Sequence, residues 1–76
     1  MSRHLPSLKP REILRALSRS GFAIHHVAGS HYILKLEGRP ELRVTLPWHG
    51  KDLKRKTLTS IIDQAGMTVE EFLDLL

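Results

Sequence analysis

A chain of 76 residues has room for one small domain with a marginal core and none for a separate cofactor domain. With no cysteine, disulfides, thiolate metal sites and a cysteine nucleophile are excluded, and a reducing cytoplasm is compatible. The net charge of +4 is unevenly spread, with twelve basic and four acidic residues up to Lys56, then four acidic and no Lys or Arg from Thr57 onward; such a basic body suits a polyanion, nucleic acid first.

Residues 1–8 are polar and irregular and read as a mobile arm. They lack the hydrophobic segment of a signal peptide, and no apolar run in the chain approaches transmembrane length. The expectation is a cytoplasmic protein with no membrane partner. A first helix starts near Pro10, a residue favoured in the first helical turn, and runs to Ser20 with Ile13, Leu14 and Leu17 on one stripe. Arg11, Arg15 and Arg19 recur every four residues, which makes them a basic ridge on that helix. Gly21 stops it. Phe22–Val27 reads as a strand, Gly29 turns the chain, and Ser30–Leu36 reads as its antiparallel neighbour. Alternation places Tyr32, Leu34 and Leu36 inward and His31, Ile33 and Lys35 on the other, wetter face.

Glu37-Gly38-Arg39-Pro40 makes the next turn and Glu41–Leu46 the third strand. Its Leu42, Val44 and Leu46 face inward, and Glu41, Arg43 and Thr45 face outward beside His31 and Lys35. Pro47 ends the sheet. A loop, Trp48-His49-Gly50, leads into the basic run Lys51-Asp52-Leu53-Lys54-Arg55-Lys56. Thr57 is placed to cap a second helix over Leu58–Ala65, and Thr68-Val69-Glu70-Glu71 fits a capping box opening a short third helix over Val69–Leu76. The order α-β-β-β-α-α, without repeats or linkers, predicts one α+β domain over residues 1–76: a three-stranded antiparallel sheet with helices on one face. The other face stays open and carries His31.

Five histidines are candidates for chemistry, His4, His25, His26, His31 and His49. His4 reads as a surface residue of the arm. His25 and His26 are adjacent in a strand and so are expected on opposite faces, which lets one of them join His31 across the hairpin. A metal needs three or four converging ligands, and no HxH, HExxH or Cys pair occurs; neither metal nor cofactor is expected. Spacing alone also fits His31 as an ordinary surface histidine on a half-exposed strand. Trp48 fits two roles, stacking on a nucleobase or capping the core edge where Pro47 ends the strand, with core capping favoured. His49 is a polar loop residue placed to touch RNA or to assist at the site.

The segments taken together resemble a known family. A helix ends in Gly21-Phe22, Gly29-Ser30-His31 follows, then Val44-Thr45-Leu46-Pro47-Trp48-His49, then Thr57-Leu58 and Ile61-Ile62-Asp63-Gln64-Ala65-Gly66. Their order and spacing, from about Lys9 to Leu76, are similar to the HicA (YcfA-like) mRNA interferase toxins. The resemblance implies a fold like the double-stranded-RNA-binding domain and ribosome-independent cleavage of RNA. It also implies a HicB-type antitoxin partner and a catalytic histidine after Gly-Ser, here His31. One departure is Lys56, where family members often carry a glycine before Thr-Leu.

Metal-free RNA cleavage activates the neighbouring 2′-hydroxyl, protonates the leaving 5′-oxygen and stabilises charge on the phosphorane. A histidine serves as base or acid in that scheme, and residue order does not decide which. Lys35 and Arg43 are the expected charge stabilisers. His49, Lys51, Lys54, Arg55, Lys56 and the Arg11/Arg15/Arg19 ridge are the expected RNA contacts. Two other classes fit parts of the pattern: an RNA-binding module without catalysis, which has no need of His31, and a protein-interaction adaptor, which predicts no salt-dependent RNA affinity.

Overall fold

The computed structural model describes residues 4–76. The elements follow the order α1 (Pro10–Arg19), β1 (Phe22–Ala28), β2 (His31–Leu36), β3 (Arg39–Pro47), α2 (Arg55–Gln64) and α3 (Val69–Leu73). The three strands form one antiparallel sheet in the order β1-β2-β3. Phe22, Leu34, Val44 and Leu46 from one sheet face join Ile13, Ala16, Leu17, Leu58, Ile61, Ile62 and Phe72 from the helices in a single core. The helices therefore cover one face of the sheet and leave the other open, as expected for an α+β fold like the double-stranded-RNA-binding domain.

Local chemistry sets the element ends. The Lys9 backbone N–H donates to Glu12 Oε1 at 2.9 Å, and Pro10 needs no partner for its nitrogen at the first position of α1. The capping box of α3 forms in both directions. Glu71 N–H donates to Thr68 Oγ1 at 3.1 Å, and Thr68 N–H donates to Glu71 Oε1 at 2.8 Å. Although α3 is only five residues long, it delivers Phe72, which is fully buried. A buried phenylalanine contributes about 1.5–3 kcal/mol, a large share for so small a core.

α3 stops at Leu73, short of the expected Leu76, and four further details depart from the expectations. Met1-Ser2-Arg3 lie outside the described residues, but the rest of the expected arm is tied down. Leu5 and Leu8 are buried in the core, and Leu53 N–H donates to the Leu8 carbonyl at 2.8 Å. Two apolar side chains at three-residue spacing find the gap beside Leu53 and Leu58, which outweighs the irregular composition. Second, β3 begins at Arg39, because the turn is the two residues Glu37-Gly38. Its extra residues are absorbed by an irregularity between the pairs Lys35↔Arg43 and Leu36↔Arg39.

Third, α2 begins at Arg55 with Lys54 as its N-cap, three residues before the expected start. Leu58 N–H donates to the Lys54 carbonyl at 2.9 Å, and Thr57 sits inside the first turn. Fourth, Ile33 is 4% exposed although it lies on the open face. It pairs with His26 on one side and Thr45 on the other, in the central strand. Flanking side chains cover a central-strand residue even without a helix above it.

Candidate active site

The turn that launches β2 is two residues, Gly29 and Ser30. A hairpin this tight needs a positive φ at its first loop position, and Gly29 supplies it at +59°. Trp48 N–H donates to the Ser30 carbonyl at 2.7 Å, which ties this turn to the end of β3. His31, the first residue of β2, pairs with Ala28 on one side and Pro47 on the other and is exposed on the open face. Lys35 is directly opposite Arg43 on the same face. The sheet thus gathers His31, Lys35 and Arg43 over a floor formed by Ile33.

β1 adds a feature that strict alternation hides. The register shifts between Ile24 and His26, so His25 is an extra residue with no partner in β2. A bulge of this kind lets two consecutive side chains leave on the same side. His25 and His26, expected on opposite faces, stand together: their Nδ1 atoms are 2.7 Å apart and their rings meet edge-on with centroids 5.0 Å apart. Such a contact requires one ring to donate and the other to accept. The Lys35 ammonium, with slight desolvation and smaller contributions from His26 and Arg43, holds the His25 imidazole below its ordinary range.

Outside the Lys51–Lys56 run, six basic residues fall into three groups. Lys35 and Arg43 belong to the open face with His31. Lys9, Arg11, Trp48, His49 and Gly50 line a depression at the end of the sheet, where His49 Nδ1 accepts from the Lys51 backbone N–H at 3.1 Å. Arg15 and Arg19 line another depression with Leu8, Glu12 and Leu76, and Arg19 donates to the Leu75 carbonyl at 2.6 Å. The ridge is therefore split: Arg15 and Arg19 stay on the helix layer, while Arg11 lines the depression with Trp48 and His49, and none of the three joins Lys35 and Arg43 on the open face.

Lys51, Lys54, Arg55 and Lys56 are all exposed. Lys54 to Lys56 crowd the N-terminal turn of α2, which has no acidic residue. Cations are disfavoured at that end of a helix dipole, so the cluster departs from what helix stability alone selects. Trp48 stacks on Tyr32 with centroids 4.1 Å apart and planes 6° apart, and packs against the core. This is the core-edge role favoured for it.

The family model described as the HicA toxin of bacterial toxin-antitoxin matches residues 10–67. The chain belongs to the HicA toxin family. No curated protein matches it. As a HicA toxin it is one half of a toxin-antitoxin pair, so an antitoxin partner is implied. The matched segment runs from the start of α1 through α2 and includes the whole sheet. Lys56, the departure from the family pattern, lies within the first turn of α2. Among the described residues no three His, Asp or Glu are grouped to hold a metal ion, and no helix is long and apolar enough to cross a membrane.

Sequence reasoning missed the His25–His26 pair. Its signal was present. The apolar positions Phe22 and Ile24 are even-numbered and Val27 is odd, a change of parity that falls between His25 and His26.

Proposed function

We propose that this HicA toxin is a cytoplasmic, ribosome-independent endoribonuclease that cleaves mRNA without a metal, with His31 as its catalytic histidine. The observation that carries the reading is His31, exposed at the head of β2 on a sheet face that also presents Lys35 opposite Arg43. A phosphodiester lying on this face meets an imidazole to move a proton and two cations to stabilise the phosphorane. His49, Lys51, Lys54, Arg55 and Lys56 extend the contact along the strand's phosphates, and Arg11, Arg15 and Arg19 attract RNA from the helix side. Phosphate contacts of this kind give affinity without reading sequence.

The purified chain is expected to cut single-stranded RNA, with binding that weakens steeply between low and physiological salt. Salt-dependent RNA binding with no cleavage at any salt leaves a non-catalytic RNA-binding module. No binding at all leaves a protein-interaction adaptor.

The partner in this reading is a HicB-type antitoxin. It is expected to place acidic groups over His31 and part of the Lys51–Lys56 run, where charge pairs speed association more than they add affinity. Hydrogen exchange on the complex checks this through slowed exchange across β2 and residues 51–56. If β2 exchanges as fast in the complex as in the free toxin, inhibition acts elsewhere.

A further inference from the structure

We propose that His26 is a second catalytic group on the open face, the proton donor to the leaving 5′-oxygen, with His31 as the base and His25 as the residue that positions His26. The proposal rests on the endonuclease reading above and assigns the two proton transfers within it.

The geometry comes from the bulge. His26 is directly opposite Ile33, and His31 precedes Ile33 by two residues in the same strand. The two histidines are therefore diagonal neighbours on one sheet face, a relation with a spacing of about 7–8 Å between backbones, within reach of aromatic side chains. Removing the extra residue from β1 moves one of the adjacent histidines to the helix face. With it in place both stand on the open side, in contact through Nδ1 at 2.7 Å. That contact engages one nitrogen of each ring. It leaves Nε2 of His26 free to donate while fixing the ring's orientation, as a tethered imidazole in a proton-transfer site requires.

The charges around the pair fit this division. From β2, Lys35 faces His25, and from β3, Arg43 does; Glu37, at the next turn, lines the same depression as His25 and Lys35. Lys35 is the largest influence keeping the His25 ring neutral. A neutral imidazole has one bare ring nitrogen; in this assignment that nitrogen is Nδ1 of His25, and His26 donates to it.

The reaction balances with no further reactant. Neutral His31 takes the 2′-hydroxyl proton as the 2′-oxygen bonds to phosphorus. The bond from phosphorus to the 5′-oxygen breaks, and that oxygen takes the Nε2 proton of His26. The products are a 2′,3′-cyclic phosphate and a 5′-hydroxyl, and both imidazoles reset by exchange with water. An in-line displacement needs its base and acid on opposite sides of phosphorus, and two rings set diagonally across the hairpin meet that need where one does not.

The test uses two RNA substrates differing in one atom, an ordinary phosphodiester and a 5′-bridging phosphorothiolate, whose thiolate leaves without protonation. On ordinary RNA, His26→Asn is expected to slow cleavage by about 100-fold or more, within the range typical of general acid catalysis, and His25→Asn by a smaller factor, because His25 acts only through His26. The alkaline limb of the pH–rate profile is expected to vanish in His26→Asn and the acidic limb to remain. On the sulfur substrate both variants are expected to approach the wild-type rate, while His31→Asn stays inactive on both. A role in folding or RNA binding lowers both substrates equally, so equal loss overturns the assignment of His26. So does a wild-type rate for His26→Asn on ordinary RNA. If the wild-type chain cleaves neither substrate, the endonuclease reading fails and this inference with it. If wild type cleaves and only His31→Asn is inactive, the endonuclease reading stands and this inference fails alone.

Discussion

His31→Ala is expected to abolish both RNA cleavage and growth arrest while changing the free energy of unfolding by less than about 1 kcal/mol. The two halves of this result have different causes. His31 is exposed and lies outside the core, so truncation leaves no cavity and no buried polar group. Its ring is also the base of the proposed reaction, and without it the 2′-hydroxyl proton has no acceptor. A thermal melt of the variant, paired with expression at wild-type level in a growth assay, measures both. Full toxicity at equal expression removes His31 from the mechanism. Lost toxicity with a collapsed melt makes His31 a structural residue instead.

Replacing ribose by deoxyribose at the scissile position is expected to leave binding intact and eliminate cleavage, because the neighbouring 2′-oxygen is the nucleophile in the proposed reaction. The same reaction is expected to proceed unchanged in EDTA. In the proposed mechanism activity is expected to fall at low pH, since a base must be neutral to accept a proton. A gel assay with a single-deoxy oligonucleotide, run with and without chelator across pH, reads all three. EDTA-sensitive cleavage restored by a divalent ion, or cutting at the deoxy position, replaces this mechanism with a metal-dependent one while leaving family membership untouched.

The parts of the fold legible in sequence are those set by short-range rules. Thr68 and Glu71 announce the start of α3, Gly29 announces the hairpin, and the alternation of Tyr32, Leu34 and Leu36 assigns the faces of β2. What could not be read there depends on partners distant in the chain. Leu5 and Leu8 look like arm residues until Leu53 and Leu58 are folded beside them. The start of α2 lies three residues before the expected one because Arg55 and Lys56 take up helical backbone behind Lys54, an extended N-cap with no capping side chain, against their charge preference. For the site, the placement of His31, Lys35 and Arg43 followed from period-two alternation. The meeting of His25 with His26 depends on one unpaired residue, and alternation assigns opposite faces to any adjacent pair unless the break in parity is noticed.

The C-terminal helix has a bearing on how this protein is handled. The family match ends at residue 67, yet Phe72, beyond that boundary, has no exposed surface and sits in the core shared by the sheet and both longer helices. The unit recognised by descent and the unit that folds are therefore different lengths. A fragment trimmed to the recognisable segment keeps every residue assigned to chemistry and loses one of the two phenylalanines in its interior. Such a fragment leaves a phenylalanine-sized hole in a domain with little stability to spare. Toxicity lost on trimming would then report on the missing interior and carry no information about His31.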